Sequence, residues 1–265
     1  MPLSPLLQAY DHVLLDLDGC VWVGDTPTPH VREALAELRA AGKRVAFVTN
    51  GCRLAPEDYV RKLWAIGLQA SLEEVVTVGS AIQYALAERP RMTTYVIGSK
   101  AVHRHVTDAG QRIVNWTDRA QRAELVVVAG HDDFTFAELR TATRAVFAGA
   151  EMLCAGRDRT FPEEDGIVPG TGAIVAALEY ATERAATSVG KPEPLLFEVA
   201  LDRLGPGRAL MVGDRLDSDL RGAAAAGIDA AIVLTGVTTR EQAQAAVDPN
   251  APVGIAESLY ELVTA

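Results

Sequence analysis

Four short segments of the chain carry residues whose types and spacing could do chemistry: 16–19, 49–51, 190–192 and 213–219. In that order they read Asp-Leu-Asp-Gly, Thr-Asn-Gly, Gly-Lys-Pro and Gly-Asp-Arg-Leu-Asp-Ser-Asp. A carboxylate can attack as a nucleophile or bind a hard cation such as Mg²⁺, whereas hydroxyl, amide and ammonium groups can hold a phosphate. The set therefore indicates an aspartate nucleophile, a phosphate-binding segment and a magnesium site.

Asp16 and Asp18 lie two residues apart after the apolar run 13–15. Side chains alternate along a strand, so the two carboxylates are predicted to point to the same side. They repel unless a cation or a proton intervenes, and at the carboxyl edge of a parallel sheet such a pair suits Mg²⁺. Taken alone, Asp-x-Asp-Gly is also an ordinary way to end a strand in a turn. The other three segments favour the catalytic interpretation.

A third carboxylate, Asp214, follows another apolar run and would reach the same edge of the sheet. Asp217 and Asp219 come at the start of a predicted helix, where negative charge also stabilises the helix dipole. Either or both could therefore be simple caps. We expect Asp214 to bind the metal, Asp219 to support the metal ligands from behind, and Asp217 to be structural.

Lysine is scarce in this sequence, and Lys191 lies in a Gly-Lys-Pro turn. A lysine in a turn is usually a solvated surface charge, but beside clustered aspartates it would hold both a nucleophile and a phosphate. Thr49, Asn50 and Gly51 offer a hydroxyl, an amide and a backbone N–H to phosphate oxygens. On its own this segment is also an ordinary strand-to-loop turn.

The elements that must position these segments alternate between short β-rich runs and amphipathic helical patterns. That alternation predicts an α/β fold with a Rossmann-like, doubly wound parallel sheet. The stretch 80–178 continues the rhythm but has no acid pair at the end of a strand. We therefore predict a smaller inserted α/β domain at 80–178, within a core built from 1–79 and 179–265. Whether Trp22 belongs to the core or to the wall of a site is left open.

The composition limits the classes of partner. With 49% hydrophobic and 23% charged residues, the chain fits an ordinary globular protein. Its formal net charge of −10 argues against a nucleic-acid partner. Its 3 cysteines, without a CxxC pair, predict free thiols in a reducing compartment. Because neither a signal peptide nor a membrane-spanning apolar run is evident, we expect a cytoplasmic protein with no membrane partner.

Taken together, the four segments resemble the motifs of the haloacid dehalogenase superfamily, and the resemblance covers essentially the whole chain. It implies that Asp16 is the nucleophile and that Asp18 is the general acid and base. Lys191 would be the stabilising lysine, and Thr49 with Asn50 the phosphate-binding segment. The implied Mg²⁺ ligands are the Asp16 carboxylate, the Asp18 carbonyl oxygen and the Asp214 carboxylate.

The stretch 213–220 is similar to the form found in the NagD-like branch, as is the Pro-Gly-Thr-Gly sequence at 169–172. This resemblance implies an α/β cap in the inserted region and a small phosphorylated metabolite as substrate, such as glycerol phosphate, phosphoglycolate or a nucleotide. It also makes a homodimer through the cap plausible. Near the end of the cap, Arg157, Asp158 and Arg159 are candidates for a specificity loop, although a solvated charged turn fits as well.

Two other functions remain as alternatives. A dehalogenase on the same scaffold needs no metal and lacks the acid two residues after the nucleophile, so Asp18 and Asp214 argue against it. A non-catalytic protein that binds a phosphometabolite would be expected to have lost a motif residue, and none is lost here. We therefore expect a Mg²⁺-dependent phosphatase that works through an aspartyl phosphate.

Overall fold

The computed structural model describes residues 3–163, 166–247 and 251–264. Among these residues the chain forms eleven α-helices, separated by strands and loops. The helices are α1 (Pro5–Gln8), α2 (Val31–Ala40), α3 (Pro56–Ala65), α4 (Val78–Ala87), α5 (Lys100–Asp108), α6 (Phe136–Phe147), α7 (Thr171–Thr182), α8 (Leu195–Leu204), α9 (Arg221–Ala225), α10 (Arg240–Ala245) and α11 (Leu259–Thr264). A 3₁₀ turn at Ala120–Arg122 and a π-helical turn at Leu216–Leu220 complete the helical elements.

The strands of the described residues are short, and most of their side chains are buried. They are β1 (His12–Leu15), β2 (Trp22–Val23), β3 (Thr26–Pro27), β4 (Arg44–Thr49), β5 (Val75–Thr77), β6 (Thr93–Ile97), β7 (Arg112–Ile113), β8 (Leu125–Val128), β9 (Glu151–Cys154), β10 (Thr160–Glu163), β11 (Gly166–Pro169), β12 (Thr187–Ser188), β13 (Ala209–Gly213), β14 (Asp229–Val233) and β15 (Gly254–Ala256).

The chain divides into two compact units. The first consists of Met1–Thr49, Pro56–Val76 and Lys191–Ala265, and the second of Asn50–Ala55 and Thr77–Gly190. The sequence predicted a core of 1–79 and 179–265 around an insert at 80–178. The second unit extends beyond that insert at both ends, most of all at its carboxyl end, and it also contains the short stretch 50–55.

The first unit is built on a six-stranded sheet with the order β15-β14-β13-β1-β4-β5. The pairs from β15 to β4 run parallel. The chain starts in the middle at β1, proceeds to β4 and β5, and returns at β13 on the other side of β1. This reversal makes the sheet doubly wound, as predicted. Both faces of β1 are buried because parallel sheets are covered by helices on each side.

The second unit has its own five-stranded parallel sheet, in the order β12-β9-β8-β6-β7. Apolar side chains of the middle strands and of helices α6 and α7 form its separate core. An antiparallel hairpin, β10-β11, belongs to the same unit. The predicted α/β class therefore holds for both units. The two hairpins, β2-β3 and β10-β11, were not predicted, because strands of two to four residues are too short to show a clear alternation.

Candidate active site

The reversal point of the first unit's sheet brings two acidic residues together. Strands β1 and β13 are neighbours, with Leu15 paired to Val212. Asp16 directly follows β1, and Asp214 directly follows β13. The Asp16 N–H still donates to the Val212 carbonyl at 2.9 Å, so the nucleophile candidate is held on the sheet itself. In open α/β sheets, ligands bind at the carboxyl ends of the strands at such a point.

Three buried carboxylates form a cluster at this point. Asp16, Asp214 and Asp219 each place one oxygen within 4.8 Å of the others. Asp219 reaches the cluster from the π-helical turn that follows β13 and is completely buried. Single π turns are rare and occur frequently at functional sites. The sequence placed Asp219 behind the ligands at the start of an α-helix, and this turn was not expected.

Lys191 lies between two of these carboxylates. Its Nζ donates to Asp16 Oδ1 and to Asp219 Oδ1, both at 2.6 Å, and to the Val48 carbonyl at 3.3 Å. Lys191 as a whole is only 4% exposed, so the two ion pairs are desolvated. A desolvated pair is stable only when its hydrogen bonds are satisfied, and here the three donors of the ammonium have three acceptors.

The electrostatics of the cluster favour an additional cation. Burial and the neighbouring Asp219 raise the pKa of Asp16 well above its ordinary value, against the opposing effect of Lys191. Burial and Asp219 also raise the pKa of Asp214, to about 6. Burial alone would lower the pKa of Lys191, but Asp16 and Asp219 raise it above its ordinary value. One lysine is therefore too little positive charge for three buried carboxylates, and a divalent ion would restore the balance.

The hydrogen bonds show which oxygens are available to such an ion. Asp219 is fully engaged, because Oδ1 accepts from Lys191 and Oδ2 accepts from the Arg215 N–H. Asp214 Oδ2 accepts from the Val237 N–H at 2.7 Å, whereas Asp214 Oδ1 is buried and has no hydrogen-bond partner among the residues that the structure describes. A buried carboxylate oxygen of this kind, next to Asp16, fits a Mg²⁺ ligand, since Mg²⁺ prefers carboxylate oxygens.

Gly19 lets the loop after β1 approach Asp214. Its φ of +85° lies in the left-handed region, and a Cβ atom built there would lie 2.5 Å from Asp214 Cγ. No side chain fits that space without displacing the carboxylate. The Gly19 carbonyl also accepts a hydrogen bond from the Thr235 hydroxyl, so the loop is tied on two sides.

We expect Gly19→Ala to weaken Mg²⁺ binding on the order of tenfold, because the methyl group displaces Asp214 and the supporting shell of a metal site tunes its affinity to that extent. The shift of the thermal unfolding midpoint with Mg²⁺ concentration measures this directly. Gly24→Ala is the matched control, since Gly24 also has a positive φ but has nothing within 4 Å of a built Cβ. Equal Mg²⁺ affinity in the two variants would contradict the proposed crowding at Asp214.

Asp18 lies outside the carboxylate cluster. Its side chain is exposed, and its Oδ1 accepts a hydrogen bond from the indole N–H of Trp22 at 2.8 Å. This placement fits an acid that exchanges protons with substrate and water better than it fits a carboxylate metal ligand. A metal contact through the Asp18 carbonyl oxygen remains a prediction. Asp217, expected to be structural, is exposed and pairs with Arg215.

The three predicted phosphate-binding residues are divided between the units. Thr49 ends β4 in the first unit and is buried, one residue after the carbonyl that Lys191 contacts. Asn50 and Gly51 belong to the second unit. There the Asn50 amide donates to Asp158 Oδ2 at 3.2 Å. This bond connects a predicted phosphate ligand, Asn50, with a member of the predicted specificity loop, Asp158.

The predicted specificity loop has one member with a clear structural task. Arg157 forms a two-pronged ion pair with Glu179 of α7 at 2.8 and 3.0 Å, and it also donates to the Ala186 carbonyl. This ion pair is also the main cause of a lowered pKa of Glu179. Asp158 is half-buried beside Asn50, and Arg159 is exposed. Asp158 and Arg159 therefore remain candidates for contacts with a substrate.

No helix in the described part of the chain combines the length and the apolar character needed to cross a bilayer.

The sequence matches two family models. Residues 13–112 match the haloacid dehalogenase-like hydrolase model, and residues 188–262 match a HAD-hydrolase-like model. A D-glycerol 3-phosphate phosphatase of Mycobacterium tuberculosis is 34% identical over 98% of this chain and 73% of its own length. An acid sugar phosphatase of Staphylococcus haemolyticus is 31% identical over 89% of each chain.

Solved structures agree with these matches. The glycerol phosphate phosphatase of M. tuberculosis in complex with magnesium aligns with a TM-score of 0.92 and 34% identity, over 98% of this chain and 78% of that one. A 4-nitrophenylphosphatase from Thermotoga maritima aligns with a TM-score of 0.89 and 30% identity, over 98% of each chain. The chain therefore belongs to the haloacid dehalogenase-like hydrolases, in the branch of the NagD-like and p-nitrophenyl phosphatases.

Proposed function

We propose that this protein is a Mg²⁺-dependent phosphatase that hydrolyses small phosphate monoesters through an aspartyl phosphate on Asp16. One observation carries the proposal. The buried Asp16 carboxylate pairs with the Lys191 ammonium and lies in the same acidic cluster as Asp214, whose Oδ1 has no hydrogen-bond partner among the described residues. A carboxylate held in this way is fixed in place next to a cation site, and a bound cation would favour its ionised form, which is the form that attacks a phosphate.

The reaction runs in two steps. A carboxylate oxygen of Asp16 attacks phosphorus and displaces the alcohol oxygen, which takes a proton from Asp18 as it leaves. In the second step Asp18 takes a proton from water, and the resulting hydroxide attacks the phosphorus of the aspartyl phosphate. Inorganic phosphate departs and Asp16 is regenerated as a carboxylate. Asp18 ends each cycle in the protonation state in which it began.

Lys191 and Asp219 act on the nucleophile rather than on the proton. The Lys191 ammonium offsets the charge of Asp16, and Asp219 holds the other side of the ammonium. Asp16 and Asp214 would bind Mg²⁺ with the Asp18 carbonyl oxygen, and the ion would offset the repulsion between the carboxylates and the substrate phosphate. Thr49, Asn50 and Gly51 remain the proposed ligands of the phosphate oxygens.

The substrate class follows from two sources. The named relatives are a D-glycerol 3-phosphate phosphatase, an acid sugar phosphatase and a 4-nitrophenylphosphatase. The chemistry described above touches only the phosphoryl group and the leaving oxygen, which suits many small monoesters. We propose that the second unit selects among them, and that Asp158 and Arg159 take part in this selection.

Two rival functions receive less support. A dehalogenase would have no use for the acid at Asp18 or for the free oxygen of Asp214. A binding protein without activity would not need the nucleophile and lysine paired at 2.6 Å in a buried site.

We further propose that the enzyme acts in the cytoplasm, a reducing compartment in which its three free cysteines would stay reduced. Pairing of two copies through the second unit is also proposed, supported by the exposed Phe136, Phe147 and Tyr180 on α6 and α7.

Phosphate release from p-nitrophenyl phosphate, measured with Mg²⁺ and with a chelator, tests the proposal. We expect release with Mg²⁺ and none above background with the chelator, because three buried carboxylates repel the substrate phosphate when no cation is bound. In the same samples, Mg²⁺ at a hundred times its Kd should stabilise the fold by about 2.7 kcal/mol. Binding of Mg²⁺ without any release would favour the non-catalytic alternative, and release unaffected by the chelator would exclude the proposed mechanism.

A further inference from the structure

The side chain of Trp22 makes a contact that the mechanism above does not yet use. Trp22 begins β2, directly after the loop that carries Asp18, and only 1% of it is exposed. Its indole N–H donates to Asp18 Oδ1 at 2.8 Å. A buried indole N–H usually finds an acceptor, but here the acceptor is the exposed carboxyl group to which proton transfer has been assigned.

The backbone fixes the distance between the indole and the carboxyl group. The Gly19 N–H donates to the Trp22 carbonyl at 2.6 Å, and the Trp22 N–H donates to the Leu17 carbonyl at 3.1 Å. Asp18 and Trp22 also form an isolated bridge. These bonds join Trp22 to the residues on either side of Asp18, so the backbone holds the side chains of Asp18 and Trp22 at a fixed distance from each other.

A lysine from α3 contacts the face of the indole ring. The Lys62 ammonium lies 4.5 Å from the centre of the Trp22 ring, a cation–π contact. The same Nζ donates to the Gly24 carbonyl at 2.9 Å and pairs with Asp25 at 2.9 Å, so it also holds the turn of the β2-β3 hairpin. Because the ring is buried, contacts Lys62 over its face and donates to Asp18 through its N–H, the indole has little freedom to turn away from Asp18.

We propose that Trp22 is a positioning residue for proton transfer by Asp18, with Lys62 holding the indole in place; this inference rests on the proposed phosphatase function. An indole N–H can only donate, so it requires an accepting oxygen. In a protonated carboxyl group the carbonyl oxygen accepts and the hydroxyl oxygen carries the proton. Binding of Oδ1 to Trp22 therefore assigns the transferable proton to Oδ2 and stops rotation of the carboxyl group about its Cβ–Cγ bond.

This assignment matters most for poor leaving groups. An alkoxide or an unsubstituted phenoxide needs a proton as it leaves, whereas p-nitrophenoxide is stable enough to leave without one. Loss of the indole N–H should therefore slow the first step more as the pKa of the leaving alcohol or phenol rises. The measure is kcat/KM, which covers the steps up to departure of the leaving group and excludes hydrolysis of the aspartyl phosphate.

The test compares Trp22→Phe with the unmodified enzyme on a series of aryl phosphates from p-nitrophenyl to phenyl phosphate. Phenylalanine keeps a ring below Lys62 but has no N–H. We expect kcat/KM to fall about tenfold for phenyl phosphate and less than about twofold for p-nitrophenyl phosphate, the size that misorientation of one catalytic group produces. Inhibition by inorganic phosphate should not change. Asp18→Asn should steepen the dependence on leaving-group pKa in the same direction and further.

Two outcomes overturn the inference while leaving the phosphatase function intact. One is an equal loss of kcat/KM across the whole series, which a merely structural role of Trp22 would give. The other is no loss at all. If Trp22→Phe does not fold, Lys62→Met decides in its place: a smaller steepening of the same sign is expected, and an unchanged dependence rejects the inference. Absence of Mg²⁺-dependent hydrolysis in the unmodified enzyme would instead reject the proposed function and this inference with it.

Discussion

Replacement of Asp16 by asparagine is expected to lower phosphate release at least about a thousandfold, because an amide oxygen cannot form the aspartyl phosphate that carries the reaction. The change is nearly isosteric, and the Lys191 ammonium can still donate to the amide oxygen at this position. The loss should therefore appear in kcat at saturating substrate. Release of p-nitrophenol with Mg²⁺ present measures it, and acid quenching should trap phosphoprotein in the unmodified enzyme only.

A second prediction for Asp16→Asn concerns its thermal stability. Burial, and after it the neighbouring Asp219, raise the pKa of Asp16 well above its ordinary value, because Lys191 alone does not supply enough positive charge. Removal of one negative charge relieves this repulsion, so Asp16→Asn should unfold in a chelator at a temperature no lower than the unmodified protein. Asp217→Asn makes the same chemical change at an exposed residue and should alter neither property. Activity that survives in Asp16→Asn would reject the aspartyl phosphate.

The second large effect is expected for Lys191→Met. Methionine fills much of the same volume but leaves the Asp16 and Asp219 carboxylates buried without their shared counter-charge. Breaking a buried ion pair in this way costs about 3–5 kcal/mol of unfolding free energy. Hydrolysis should fall to background as well, because the nucleophile loses the group that keeps it ionised and in place. Chemical denaturation and phosphate release measure the two effects.

A second substitution separates the charge effect from simple packing loss. The double variant Lys191→Met with Asp219→Asn removes one of the two uncompensated charges, so it should be more stable than Lys191→Met alone, although still inactive. Lys100→Met, at an exposed position, is the control for loss of a lysine charge and should change the free energy of unfolding by less than about 0.5 kcal/mol. If Lys191→Met unfolds like this control, the buried ion pairs contribute nothing to stability.

The fold class and the family could be predicted from the sequence because each reactive segment follows an apolar run. The strands β1, β4 and β13 are buried on both faces and read as near-continuous apolar stretches. The order of the motifs then resembled one known family, and the comparisons confirm that prediction. The predicted hydrolase class and the use of Mg²⁺ in the family are confirmed by the named relatives. The roles of individual site residues stay predictions.

What could not be predicted depends on contacts between residues that are distant in the chain or on very short elements. Asp219 looked like the start of an α-helix, and only the π-helical turn places it against Lys191. The task of Trp22 was left open because a buried tryptophan is ordinary; its partner became visible only with the closed loop around Asp18. The available signal in the sequence was an aromatic residue four positions after the proposed general acid, Asp18, and shortly before a Gly-Asp turn.

The sheet order also has a consequence for how the protein is made. Strand β1 pairs on one side with β4, which follows soon after it, and on the other side with β13, which lies almost two hundred residues later. During synthesis, which proceeds from the amino terminus, one edge of β1 has no native partner until β13 has left the ribosome. Exposed strand edges promote aggregation. Over the same interval Asp16 lacks its neighbours Asp214 and Asp219, so neither the central strand nor this buried carboxylate reaches its native surroundings before the last quarter of the chain has been made.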